Sequence, residues 1–225
     1  MKLFATVTAL AALLGSAALA DNNEIFVTQA GSDNFVGDAN NPVEQVGSSN
    51  MMDISQSGNG NTVGSRATSE PALPIWPAAK QYGANHDMTI VQSGNRNKAE
   101  LLQQRGGNSN NMEIRQGGND NRIVNAHQFG NNNDLDVRQG GNENFGNSLQ
   151  VGDQNTIDVR TNGHRNTYEL DQGSFSVSAC TKCDIDLIQG GNDNMATVYQ
   201  QDFKQMANIN QSGNGNTVYT SQSAN

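Results

Sequence analysis

The chain has little of what most globular or catalytic proteins are built from. Seven Phe, four Tyr and one Trp among 225 residues leave few large side chains for a conventional core, and the hydrophobic share is 34%. On composition alone, so polar a chain belongs with disordered proteins. Only two cysteines are present, Cys180 and Cys183, and the three histidines, His86, His127 and His164, lie far apart. That argues against a disulfide framework and against a zinc centre of paired Cys and His ligands. Basic residues are outnumbered 13 to 22, for a net charge of −9. An acidic chain is a poor partner for nucleic acid or anionic lipid. After the first twenty residues no apolar run is long enough to cross a bilayer, so no transmembrane segment is expected.

What the chain does have is a short period. Asn133 to Asn155 reads NDLDVRQGGNENFGNSLQVGDQN, two copies of an eleven-residue unit, N-x5-Q-x-G-x2. A repeat of fixed period settles architecture ahead of local propensity. The step from Asn to Gln is even, so Asn133, Leu135, Val137 and Gln139 share one face of an extended strand, and Asp134, Asp136 and Arg138 take the other. Apolar-in, charged-out alternation marks a half-buried strand, and the glycine two residues after each Gln sits where the chain turns. The expected fold is all-β: a β-solenoid of strand-turn-strand coils stacked about 4.8 Å apart, with two facing parallel sheets. About sixteen units give about eight coils.

Inward pairs follow from the second and fourth positions after each Asn. They run from Ile25/Val27 and Met52/Ile54 through Met88/Ile90, Ala99/Leu101, Met112/Ile114 and Leu135/Val137 to Ile157/Val159, Tyr168/Leu170, Ile185/Leu187, Ala196/Val198 and Ala207/Ile209. Weaker units carry Asn41/Val43, Val63/Ser65, Gly146/Ser148 and Val218/Thr220. The unit from Asn121 is one residue long; counting back from Gln128 places Val124 and Ala126 inward, with a bulge near Arg122.

The candidate functional residues are the columns this stacking creates. The Gln column holds Gln56, Gln92, Gln116, Gln128, Gln139, Gln150, Gln172, Gln189 and Gln211, with Gln29, Gln45, Gln103, Gln200 and Gln222; Thr161 and Ala67 interrupt it. The Asn column holds Asn50, Asn97, Asn133, Asn144, Asn155, Asn194 and Asn216, with Asn23, Asn61, Asn110, Asn121 and Asn166. Buried amides are costly unless bonded, and identical amides one coil apart can bond one another. The turn glycines are Gly58, Gly94, Gly118, Gly130, Gly141, Gly152, Gly191 and Gly213.

Three segments interrupt the array. Residues 34–40 lengthen one turn. Residues 67–80 carry Pro71, Pro74 and Pro77, which a central strand cannot hold, and are expected to form an excursion loop that includes Trp76. Residues 173–182 form a third loop, ending at Cys183 in a repeat Asn position. Cys180 and Cys183 either close a small loop disulfide or stay free; a redox or zinc role lacks a second ligand pair. His86 also occupies an Asn position, and all three histidines read as tolerated substitutions. GGNDN at 117–121 and 190–194 is like a calcium β-roll motif, but the period and Asp spacing are wrong for one.

Alternate units fall on one sheet. Its outward positions then align Glu113, Asp136, Asp158 and Asp186 beside Arg115, Arg138, Arg160 and Ile188. Such columns solvate an outer face; as gatekeepers they would also slow sideways association of sheets.

Residues 1–20, MKLFATVTALAALLGSAALA, have the form of a secretory signal: Lys2, an apolar run, and Ala18-Leu19-Ala20 before Asp21. Its removal leaves 12 basic residues against 22 acidic, a charge near −10 for residues 21–225.

The motif Q-x-G-x2-N starts at Gln29, Gln45, Gln56, Gln92, Gln116, Gln128, Gln139, Gln150, Gln189 and Gln211. This array resembles the curlin repeat of curli, the extracellular amyloid fibres of bacterial biofilms. The resemblance covers nearly all of Asn23 to Asn225 apart from the three loops. It implies a secreted fibre subunit that polymerises end to end for adhesion and biofilm matrix, an outer-membrane export pore, and other curlin subunits including a nucleator. The residues agree, since the last unit brings no capping helix and bare strand edges template further strands. The rival reading is a monomeric secreted β-solenoid binding a glycan or other flat-surface ligand; regular outward Thr ranks, which ice binding would want, are missing. No Ser/His/Asp set and no grooved carboxylate cluster stands apart from the repeat, so neither an enzyme nor a cofactor is expected.

Overall fold

The computed structural model describes residues 22–37, 42–64, 79–174 and 179–223. The expected signal segment, residues 1–20, and Trp76, Ala67, Asn41 and Ser65 lie outside the described residues. The chain winds as a parallel β-solenoid of about seven turns, close to the eight coils expected. We number the coils 1 to 8. Wall A is an eight-stranded sheet formed by Glu24–Ser32, Met51–Asn59, Asp87–Asn95, Asn111–Asn119, Asp134–Asn142, Thr156–His164, Asp184–Gly190 and Met206–Ser212. Its neighbours pair without a register shift from end to end, so Ile25, Met52, Met88, Met112, Leu135, Ile157, Ile185 and Ala207 make one column.

Wall B is less regular. In coils 5 to 8 its strands are continuous: Phe145–Asp153, Thr167–Gln172, Met195–Gln200 and Thr217–Gln222. In coils 1 and 2 each strand is split, into Phe35–Val36 and Val43–Ser48, then Thr62–Val63 and Ala79–Ala84. The halves stay in line, because Val63 pairs with Ala99 and Ala79 with Leu102 of one strand, Lys98–Asn108. Coils 3 and 4 (Lys98–Asn108 and Arg122–Phe129) carry one extra residue at the same place.

These breaks correct four sequence expectations. Residues 35 and 36 are strand, so the first insertion divides a wall and does not lengthen a turn. The second ends before Ala79, and Gln81, not Ala67, resumes the Gln column. In coil 3 the inward residues are Ala99 and Leu102, and the column residue is Gln104, with Leu101 and Gln103 one place off. In coil 4, Ile123 and Ala126 are buried and Val124 is the displaced residue. The bulged strand of coil 3 lies on the bulged strand of coil 4 in register, and the slip of this bulge appears against coil 5; a separate slip, between Tyr82 and Ala84, lies between coils 2 and 3.

The core is the thin layer between the walls. Met52, Ile54, Met88, Ile90, Met112, Ile114, Leu135, Val137, Ile157 and Val159 are fully buried from wall A. Gly146 and Ser148 are buried as expected, while Val43, Val218 and Thr220 near the ends are half-buried.

Candidate functional site

Each wall carries its own Gln column. In wall A the side-chain Nε2 of Gln29 donates to Gln56 Oε1, and the chain of bonds continues through Gln92 and Gln116 to Gln139 at 2.7–2.9 Å. Thr161 interrupts it, and Gln189 to Gln211 resumes it at 2.9 Å. In wall B the bonds run unbroken through Gln45, Gln81, Gln104, Gln128, Gln150, Gln172, Gln200 and Gln222 at 2.7–3.1 Å. The second N–H of most column residues reaches a backbone carbonyl across the core, as Gln92 does to Thr62 and Gln150 to Asp134. Gln56 through Gln211 are at most 4% exposed, so a broken link strands a buried amide.

Asparagines lock the turns. The turn leaving wall A carries Asn34, Asn61, Asn97, Asn121, Asn144, Asn166, Asn194 and Asn216, one in every coil. The Oδ1 of each accepts the backbone N–H of its successor, as in Asn97 to Asn121 to Asn144 at 3.0–3.1 Å. Its Nδ2 donates to the turn-glycine carbonyl of the next coil, Gly118 for Asn97 and Gly163 for Asn144. In the turn leaving wall B, Asn50, Asn110, Asn133 and Asn155 do the same for Gly83, Gly130, Gly152 and the Cys180 carbonyl, at 2.8–3.0 Å. His86 substitutes chemically as well as spatially: its N–H donates to Asn50 Oδ1, and its Nδ1 accepts from Asn110 N at 3.2 Å. Burial lowers its pKa from the ordinary imidazole value.

All eight expected turn glycines have positive φ, between 87° and 121°. Stacking needs glycine more than the angle does. A Cβ on Gly58, Gly94, Gly118 or Gly141 would strike the carbonyl of the glycine one coil on, inside contact distance. Cys180 takes a turn-glycine place beside Gly152, and Cys183 takes an Asn place. The two form a disulfide. It closes the turn where elsewhere an Asn Nδ2 bonds the carbonyl four residues back, as in Asn144 to Gly140.

Two features were not read from the sequence. The residue before each Asn is left-handed in almost every turn, including Asp33, Arg96, Asp120, Glu143, Arg165 and Asp193. A further amide ladder runs along the surface three residues after the Gln: Asn59, Asn95, Asn119, Asn142, His164, Asn192 and Asn214. The signal was present, since six of the first wall's units read G-N before the left-handed residue.

The outward acids of wall A stack as expected: Glu113, Asp136, Asp158 and Asp186 are register partners, beside Arg115, Arg138 and Arg160. Glu113, Asp136 and Asp158 each pair with the Arg two residues on. Burial, with Asp136 and Asp186 as like neighbours, raises the pKa of Asp158 against the pull of Arg160. The outer face of wall B is different, with Val124, His127, Phe129, Leu149 and Val151 half-buried on coils 4 and 5. Burial and Arg105 lower His127 to a pKa of about 4. Among the described residues no three His, Cys, Asp or Glu gather to hold a metal, and no helix is long and apolar enough to cross a membrane.

Neither family models, nor curated proteins, nor solved structures give a match to this chain.

Proposed function

We propose that the chain is a secreted structural subunit of curli-type amyloid fibres, assembling end to end for adhesion and biofilm matrix, with other curlin subunits and an export pore as its partners. The observation that carries this reading is the polarity of the amide columns. Every Gln-to-Gln bond in the two columns runs from Nε2 toward the C-terminal coil, so coil 1 offers Gln29 and Gln45 Oε1 to a donor from outside the stack. Coil 8 ends wall A and wall B as single edges, at Met206–Ser212 and Thr217–Gln222. Unlike faces on one subunit make a head-to-tail contact, which extends without closing. The large apolar groups left exposed on the outer coils, Ile25, Phe26, Met206 and Tyr219, suit the same contact. The junction between coils 4 and 5 is a precedent, because there a continuous strand already stacks on a bulged one.

The test is assembly of purified residues 21–225, followed by amyloid-dye fluorescence and electron microscopy, with and without preformed fragments. Fibres whose lag shortens on seeding are expected. A persistent monomer would refute the reading. Seeding of a separate curlin-like chain at low ratio assigns the nucleator role.

The rival reading, a monomeric solenoid that binds glycan, draws on one feature. A cavity of about 210 Å³ on wall B is lined by Asp171, Gly173, Ser174, Tyr199, Gln200 and Gln201. Glycan-array binding by a chain that stays monomeric would favour it.

A further inference from the structure

Buried side-chain atoms that lack a partner among the described residues fall into two groups. Asp87, Asp158 and His127 contribute one each from outward positions, where Glu113 Oε1 has its ion pair with Arg115. The others all come from inward positions of coils 5 to 7: Gln139 Nε2, Ser148 Oγ, Thr161 Oγ1, Tyr168 Oη and Gln189 Oε1. None of these five residues is more than 1% exposed. Orphans this buried are rare in folded chains, and five in three neighbouring coils call for one cause.

The cause is a pair of linked substitutions. Gln139, Thr161 and Gln189 are successive register partners, so threonine stands where the wall A column has glutamine. Its side chain is two heavy atoms shorter. Gln139 is held from the other side by Gln116 at 2.9 Å, and Gln189 by Gln211 at 2.9 Å and by the Thr167 carbonyl at 3.1 Å. Their free atoms, one donor and one acceptor, therefore address the Thr161 level from opposite sides. In wall B, Tyr168 is the largest fully buried side chain, and its phenol lies where a Cβ on Gly146 would be. The hydroxyl is thus carried back from coil 6 to coil 5. Elsewhere a wall A glutamine sits at the carbonyl that opens the wall B strand one coil earlier, as Gln116 does at Lys98 and Gln211 at Met195. The same rule puts Thr161 beside Phe145, the neighbour of Gly146.

We propose that coils 5 to 7 enclose a hydrated site in which an ordered water replaces the missing amide of the wall A column. The water accepts from Gln139 Nε2 and donates to Gln189 Oε1, with Thr161 Oγ1 as a third partner; the hydroxyls of Tyr168 and Ser148 complete the polar lining. Two absent heavy atoms leave about the 30 Å³ a water occupies, and three partners are what a buried water usually has. The site does not depend on assembly.

The experiment is water-to-amide magnetisation transfer in NMR on residues 21–225 labelled with ¹⁵N at glutamine side chains, in solution or, if the chain assembles, under magic-angle spinning. The Gln139 side-chain amide is expected to show a cross-peak to a long-lived water, while Gln116, bonded to its neighbour, shows none. Thr161→Val keeps the shape and removes one partner; it should lose the cross-peak and lower the melting temperature by about 2–8 °C. Thr161→Ser should keep the cross-peak, and it serves if the valine variant does not fold. A folded wild-type chain without a Gln139 cross-peak, or a Thr161→Val chain that melts at or above wild type, would overturn the site.

Discussion

Wall A and wall B are made from the same eleven-residue unit, yet they tolerate very different things. Wall A keeps one register through eight strands, and the turn that leaves it has glycine and asparagine in every coil. Each described departure in chain length falls on wall B or on the turn that leaves it. Two insertions split wall B in coils 1 and 2, coils 3 and 4 carry a one-residue bulge, and the disulfide turn follows coil 6. The breaks in coils 1 to 4 share one place, between the two inward positions, after Val36, Val63, Ala99 and Ile123. A bulge stacked on a bulge costs no alignment, so irregularity is inherited from coil to coil while the other wall holds the phase. One wall sets the register and the other absorbs variation.

The sharpest way to break that contrast is to insert one residue into each wall. An extra residue between Leu135 and Asp136 turns Val137 and Gln139 outward, because a one-residue slip exchanges the faces of a strand. Loss of cooperative unfolding in circular dichroism is expected. The same insertion between Gly146 and Asn147 copies the natural bulge and should cost only about 1–2 kcal/mol.

Next in size is Gly141→Ala, whose Cβ would meet the Gly163 carbonyl. A loss of about 4 kcal/mol or more is expected from denaturant titration. Gly213 has a similar φ, 92°, but nothing stacked on its far side, so Gly213→Ala should lose about 1–2 kcal/mol. Equal losses would show that the angle, and not the stacking, demands glycine.

Gln116→Leu strands Gln92 Nε2 and Gln139 Oε1, at about 2–4 kcal/mol for two buried orphans. Gln150→Leu in wall B should cost a similar amount, since both columns bond alike. The disulfide ranks below. Cys180→Ser with Cys183→Ser should lose about 2 kcal/mol for a loop this short. Cys180→Gly with Cys183→Asn restores the repeat and should lose less, which the same titration reads.

The smallest effects are in pH, and they oppose each other on wall B. His127 is held near pKa 4 in the folded chain, so the unfolded chain binds the proton first, and stability attributable to it falls as pH drops from about 6.5 to 4. Burial and Glu169 raise Asp171 to about 6, so its folded form binds the proton first, and its contribution falls as pH rises from about 4 to 6. Asp171→Asn should therefore match wild type near pH 4 and exceed it at pH 7, by under about 1 kcal/mol for a partly solvated group. A gap that widens toward acid would have the wrong sign.

This division also explains what could be read from the sequence. Wall A was legible throughout, because its inward Met, Ile, Leu, Val and Ala recur at every second position without a break and the closing Asn always falls five residues after the Gln or Thr161. Wall B was misread where two registers fit the same letters. Leu101-Leu102 and Gln103-Gln104 offer an inward pair and a column residue in either frame, and only stacking on Gln81 and Gln128 selects Leu102 and Gln104. Val124 was misplaced for the same reason, since Ile123 and Val124 are both apolar. The proline segment hid the resumption at Ala79 and Gln81, two residues that a local pattern cannot connect to Asn61. The amide columns were legible as positions; their direction was not, because donor and acceptor ends of a glutamine are assigned by neighbours.

The central claim is that this one-way stack continues from one copy to the next. Axial repeat measurement on aligned fibres of residues 21–225, by diffraction or helical image reconstruction, tests it directly. Eight strands per wall at about 4.8 Å predict one subunit every ~38 Å along the axis, with a strong ~4.8 Å reflection parallel to it. A chain that stays monomeric, or a fibre whose strands run along its axis, would contradict it.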